Sequence, residues 1–503
     1  MTIIYFLIIL TAVILMHELG HYLFARLFGV RVLEFAIGFG PKIFSKKGKK
    51  TEFRINPIPL GGYVKMAGEN PYEENTQGIP DKELFNKKSA WKRFLITFAG
   101  PLFSILAGFL VFSLAGVFWG FPEVNIERVQ KGTPAYEAGL RAGDRILTAN
   151  GKTIIQNQTL SDMISTGESI KLEVLRNGEK ITIKAKPARF PEEAYFTLNN
   201  YEGTTEGGKI QTINGRVFEG EFSKFSNNFE QSKVLNITFE NGNSVKGVIN
   251  SSSISQERYA LGFYYSSFEP IVGKDYGSLK EGDRIIGIGH MDIKDGVSLT
   301  MLAQTINLDT SQIYLQFSGV EAEFIIPGFP RDVEVVIERN GTEQKIVMYK
   351  SDLIDFLGQP NSFKSGYEYW RPQNVIEAVS LGFQWATELL SSMVKIIGNL
   401  FTGQTQPSEF TGPLGIVQIV GAAAQTGLKT VFILVGFITL NLGVINLIPL
   451  PILDGGRMVL AVVEMVIRRR INPKVEGIIN TIGFILLMAF ILYITFIDIG
   501  RFF

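Results

Sequence analysis

The stretch Met16-His17-Glu18-Leu19-Gly20-His21 decides how this chain is read. It interrupts an apolar run from about Thr2 to Val30, where an ionised group costs roughly 2.5–3.5 kcal/mol at mid-bilayer depth. His17 and His21 are four residues apart, so on a helix they stack one turn apart on one face. Glu18 projects beside them, turned by about 100°. The pattern is His-Glu-x-x-His, which offers two imidazoles to zinc and a carboxylate next to the water that zinc would hold. The chain has three histidines in 503 residues, and this pair uses two of them. A chance match on a buried helix gives no reason to retain Glu18 in such apolar company. The motif reads as functional.

Composition frames the rest. A hydrophobic share of 46% is too high for an ordinary soluble protein, and 19% charge is too high for one lying wholly in a membrane. A membrane part with substantial water-exposed domains is implied. The net charge of +1 gives no basic stripe for a nucleic acid. With no cysteine, a zinc site must draw on His, Asp or Glu. The first segment lacks a basic n-region and a small-residue cleavage site, so it reads as an uncleaved transmembrane helix.

Four segments are long and apolar enough to span about 30 Å of hydrocarbon: Thr2–Phe28, Trp91–Trp119, Leu428–Leu450 and Val475–Phe496. A fifth, Val375–Phe401, is interrupted by Glu377, Glu388 and Lys395 and reads as an amphipathic helix on the membrane or against the bundle. Residues 31–93 carry 13 Lys/Arg against 7 Asp/Glu, and Arg468-Arg469-Arg470 follows the third span. Both basic loops belong on the cytoplasmic side. Four spans satisfy that, leaving residues 120–427 on the far side.

Residues 31–90 contain strand-like runs such as Glu34–Pro41 and Thr51–Ile55, with the Pro/Gly-rich Pro57–Gly62 before Tyr63-Val64-Lys65-Met66. They form either a small β-structure with edges for an extended peptide or a connecting loop. On the far side Leu140–Leu147 is echoed 139 residues later by Leu279–Ile286, and Val174–Gly178 is echoed 163 residues later by Ile337–Gly341. The second copy thus holds about 24 extra residues, expected around 305–330. Gly-Asp-Arg-Ile followed by a strand and Asn150-Gly151 resembles a PDZ domain, a fold that takes peptide termini by strand addition. The copies are either peptide-sensing modules or spacers. Between them, 195–260 reads as a β-rich insertion, with Asn241-Gly242 closing a hairpin.

Two histidines leave zinc one protein ligand short of the usual three. His290 sits in a far-side turn and reads as a surface residue. Asp454, in Asn446-Leu447-Ile448-Pro449-Leu450-Pro451-Ile452-Leu453-Asp454-Gly455-Gly456, follows the third span on the same side as the histidine motif. With His17-Glu18-Leu19-Gly20-His21 at one end and Asn446…Pro449…Pro451…Asp454-Gly455 at the other, the chain resembles the site-2 protease family. Gly38-Phe39-Gly40-Pro41, Pro59–Met66, Ala99-Gly100-Pro101 and Asn441-Leu442-Gly443 add to the likeness, which covers nearly all of the chain except 195–260. It implies an intramembrane zinc metalloprotease. His17, His21 and Asp454 would bind Zn2+, Glu18 would be the general base, and Asn441 and Asn446 would hold substrate. The family often has Asn three positions after the Pro of Ala-Gly-Pro, where this chain has Ser104.

The expected architecture is a polytopic membrane protein. Its α-helical core of four transmembrane helices carries a membrane-associated β-structure, and two PDZ-like α+β domains lie on the extracytoplasmic side. In order it comprises a first transmembrane helix (1–30), a β-loop region (31–90), a second transmembrane helix (91–120) and a first PDZ-like domain (121–194). The insertion (195–260), a second PDZ-like domain (261–352) and the amphipathic helix (374–402) come next. A third transmembrane helix (428–450), a cytoplasmic loop with the third ligand (451–474) and a fourth transmembrane helix (475–498) complete it. The expected setting is a bacterial inner membrane, with transmembrane proteins as substrates and peptide termini at the PDZ-like grooves. A catalytically inactive PDZ scaffold is the rival reading.

Overall fold

Helix α1 (Thr2–Leu27) carries the histidine motif, and its buried residues Ile9, Val13, His17, Gly20, His21 and Ala25 recur every three or four positions. From His17 to Ala25 that stripe faces helix α2 (Ala90–Trp119), which buries Ala99, Gly100, Ser104, Ala107 and Gly108. Small residues let the two backbones approach closely, as membrane helices do in the absence of a hydrophobic drive. A side chain at Gly20 would collide with the Ala99 carbonyl. The computed structural model describes residues 2–69, 78–265, 268–359, 361–365, 369–401 and 411–502. Residues 70–77 of the expected β-loop region, 266–267 of the second PDZ-like domain and 402 of the amphipathic helix lie outside these. The chain divides into two compact units, 1–121 with 371–503, and 122–370.

In the first unit the segment between α1 and α2 is a four-stranded sheet rather than a loop. Its strands are β1 (Val32–Phe39), β2 (Phe44–Lys47), β3 (Glu52–Ile55) and β4 (Ile58–Met66), in the order β2-β3-β1-β4. Strands β1 and β4 are antiparallel with Phe35 opposite Val64, whereas β1 and β3 are parallel. Edge strand β4 lies along α1, where Thr11 Oγ1 donates to the Pro59 carbonyl at 2.9 Å.

The second unit holds two sheets of matching topology. One joins strands 179–185, 170–176, 145–149, 124–129 and 263–265 with helices α3 (Pro134–Glu137) and α4 (Asn157–Ser165). The other joins 342–349, 332–339, 284–288, 268–272 and 363–365 with α5 (Gly296–Thr305) and α6 (Lys350–Gly358). In each, the motif Asp is buried and paired: Arg176 Nε to Asp144 at 2.6 Å, Arg339 Nε to Asp283 at 2.7 Å. The repeated Asn-Gly turns place Asn177 and Asn340 at positive φ, 51° and 53°.

Domain boundaries depart from the expected ones. The first sheet is completed by residues 263–265, beyond the expected end at 194, and the second by 363–365, beyond 352. Between the copies lies a seven-stranded sheet with a core rich in phenylalanine, including Phe196, Phe222, Phe239 and Phe317. Two of its strands, 312–318 and 321–327, are the extra residues of the second copy. The insertion within that copy therefore pairs with the insertion between the copies and not with its own domain.

The first unit resumes with α7 (Val375–Phe401), α8 (Pro413–Thr426), α9 (Leu428–Leu447), α10 (Asp454–Ile467) and α11 (Pro473–Phe502). Among the described residues four helices are long and apolar enough to cross a membrane: α1, α2, α9 and Lys474–Gly500 of α11. Helix α7 packs on α2, with Phe383 stacked on Phe109 at 4.3 Å and Trp385 beside Phe112. The expected loop 451–474 is instead largely helix α10, which begins at Asp454. Helix α8 went unrecognised in the sequence, because 14 residues are too short to register as a span.

Candidate metal centre

Three groups converge at the α1–α2–α10 contact. His17 Nε2 and His21 Nε2 are 3.2 Å apart, and Asp454 Oδ2 lies 3.0 Å and 3.2 Å from them. The opposite nitrogen of each ring is held. His21 Nδ1 is 2.9 Å from the Ile96 carbonyl, which can only accept, so in the neutral imidazole Nδ1 carries the proton and Nε2 keeps a lone pair. His17 Nδ1 is 3.1 Å from the buried Ser104 hydroxyl. Asp454 Oδ2 is itself buried without a hydrogen bond of proper geometry. Lone pairs facing one another at such distances repel unless a cation lies between them. The edges also fit, since ligands about 2.0–2.1 Å from a tetrahedral zinc stand about 3.3 Å apart.

The surrounding backbone makes room for this cluster. A Cβ on Gly100 would overlap His21 Nε2, so α2 passes the imidazoles only at a glycine. Asp454 reaches the site because the chain turns sharply after α9. Ile452 is held at φ 81°, a strained value for a β-branched residue, and Gly455 and Gly456 abut the carbonyls of Ile448 and Leu450. Three residues after Asp454, Arg457 Nη1 pairs with Glu69 at 2.5 Å, tying α10 to the end of β4. Glu18 is partly buried beside the cluster, and the backbone N–H of Val64 on β4 donates to its Oε2 at 3.0 Å.

Of the residues expected at the site, His17, His21 and Asp454 meet, with Glu18 adjacent. They are the one group of His, Asp or Glu with metal-binding spacing among the described residues. Asn441 and Asn446 lie partly buried on α9, and Asn446 Nδ2 donates to its own helix at the Leu442 carbonyl, 3.1 Å. His290 is an exposed residue of the other unit, stacked on Phe329. Sequence reasoning left the parts played by Ser104, Gly100 and Val64 unassigned. Ser104 was singled out only as a departure from the family pattern.

Comparison with known proteins bears on the same residues. The model of peptidase family M50 matches residues 5–490, a span that includes both ends of the cluster. The chain belongs to peptidase family M50. A Thermotoga maritima protein whose name assigns it provisionally as a zinc metalloprotease is 41% identical, over 100% of this chain and 99% of that one. Zinc metalloprotease RasP of Geobacillus kaustophilus is 26% identical over 100% of this chain and 98% of its own length. Regulator of sigma E protease of Haemophilus influenzae is likewise 26% identical, over 99% and 98%. This M50 protein is a membrane protease of the site-2 type that uses zinc. The inactive-scaffold reading is not favoured.

Proposed function

We propose that this protease cuts transmembrane proteins within or just beside the bilayer, at a zinc held by His17, His21 and Asp454. One observation carries the assignment: three lone-pair donors within 3.2 Å of one another, with the far side of each imidazole already held. Bound there, zinc supplies polarisation of the scissile carbonyl and brings an attacking water near neutral acidity. Glu18 Oε2 takes the proton of that water and returns it to the departing amine nitrogen. A helical substrate must first unwind, because its carbonyls are closed off by their own hydrogen bonds. The outer edge of β4, which pairs with no further strand among the described residues, suits an extended segment arriving beside Glu18. Asn441 and Asn446 on α9 would offer amides to the freed backbone groups. Substrates such as membrane-anchored anti-sigma factors or signal-peptide remnants fit this chemistry in a bacterial inner membrane. The repeated domains of residues 122–370 would lie outside the cytoplasm and admit only substrates already trimmed of bulky domains.

The test is Glu18→Gln in the purified full-length protein. Zinc content stays at wild-type level while cleavage of a transmembrane substrate falls by several orders of magnitude. Cleavage within tenfold of wild type would overturn the role of Glu18.

A further inference from the structure

A second built site lies where α1 and α2 emerge. The described residues form a cleft of about 450 Å³ lined by Arg26, Arg31, Lys50, Lys82 and Lys88, with Glu83 as its one carboxylate. Glu83 is already shared, with Arg31 Nε at 2.7 Å and Lys50 Nζ at 2.8 Å. Among the described residues no carboxylate pairs with Arg26, Lys82 or Lys88. Lys88 instead donates to the Lys82 carbonyl. Burial, with the neighbouring Lys92 charge, holds the Lys88 ammonium below its ordinary range, and the Glu83 carboxylate offsets this only in part. The chain as a whole is balanced, with 49 basic and 48 acidic residues, so this excess is local.

Position separates the cleft from ordinary surface charge. Both membrane-length helices end here, α1 at Leu27 and α2 at Ala90. Leu27 is 71% exposed and Trp91 48%, and Trp91 stacks edge-on against Phe28 at 5.4 Å, a pairing suited to a membrane–water boundary. Carbonyls at the C-terminus of α1 are already taken up by backbone N–H groups. Gly29, at φ 68°, lets Val30 N–H reach the Ala25 carbonyl and Gly29 N–H the Arg26 carbonyl.

We propose that this cleft binds the phosphate of an anionic phospholipid headgroup whose acyl chains lie along α1 and α2. Basic pockets between helices at a membrane surface bind such headgroups by charge and hydrogen bonding. Arg26 is five residues beyond His21, about 8 Å along the helix, so an occupied cleft braces the end of α1 that carries the zinc ligands.

The experiment is native mass spectrometry of the delipidated full-length protein, titrated with phosphatidylglycerol or with phosphatidylcholine. Phosphatidylglycerol is expected to be retained and phosphatidylcholine not. The double variant Lys82→Ala/Lys88→Ala weakens retention about thirtyfold, at about fivefold for each cation near an anionic surface. Lys46→Ala/Lys47→Ala removes the same charge from β2, outside the cleft, and leaves retention within twofold. Equal loss in both double variants, equal retention of both lipids, or displacement of phosphatidylglycerol by equimolar inorganic phosphate would overturn the proposal.

Discussion

Ser104→Ala tests whether the zinc site depends on its support as well as on its ligands. Ser104 is fully buried, 0% exposed, and its hydroxyl is 3.1 Å from His17 Nδ1. For His17 Nε2 to face the metal with a lone pair, Nδ1 must carry the proton and Ser104 Oγ must accept it. Alanine leaves that N–H buried and unpaired, at a cost of about 1–3 kcal/mol. Because the other tautomer becomes competitive, the cost falls on metal binding, as a loss of about 10–100-fold in affinity. The two magnitudes agree, since each tenfold is about 1.4 kcal/mol. The assay is competition for zinc between the detergent-purified protein and a chromogenic chelator at fixed pH. Ser104→Thr, which keeps a hydroxyl, should restore affinity to within a few-fold. Wild-type affinity in Ser104→Ala would refute the reasoning, as would equal losses in the Ala and Thr variants.

Gly100→Ala places a methyl on His21 Nε2 and should lower zinc affinity at least tenfold in the same competition assay, although alanine favours a helix. Asp283→Asn should destabilise the second repeated domain by about 2–3 kcal/mol, read by hydrogen exchange along 284–288. The Arg339 guanidinium holds the Asp283 carboxyl below its ordinary range. Its stabilisation is therefore complete above the unfolded value, about pH 4, and is lost as pH falls through the lower folded one. Below that pH, wild type and Asp283→Asn should converge. Asp295 caps α5 through Ser298 N–H at 2.9 Å and also holds Arg128 of the first repeated domain. Asp295→Ala should cost about 1–2 kcal/mol and raise exchange at both residues 296–300 and 124–129.

Much of this was legible because it is local. Periodicity and length in a low-dielectric setting announce a spanning helix, and α1, α2, α9 and α11 fall where their apolar runs lie. The helical period places His17 and His21 on one face before any fold is known. The repeat showed in Gly-Asp-Arg-Ile because a buried Asp needs an Arg, and Arg176 and Arg339 recur at matching places. Strand partnership was not legible. Residues 312–327 carry the same alternation whether they pair with their own domain or with the insertion, and only the burial of Phe317 beside Phe196 selects the second.

By itself the sequence determined the pair His17–His21 with Glu18 beside it, four apolar spans, and a repeated module. Through its resemblance to a family it also pointed to Asp454, 433 residues beyond His21. Tertiary structure decided what surrounds them: that α2 passes the imidazoles at Gly100, that Ser104 and Ile96 fix the two rings, and that β4 sets the Val64 N–H against Glu18. These depend on which backbones come within 3 Å of one another. Hydrophobic pattern fixes which face of a helix is buried and leaves open which atom lies opposite it.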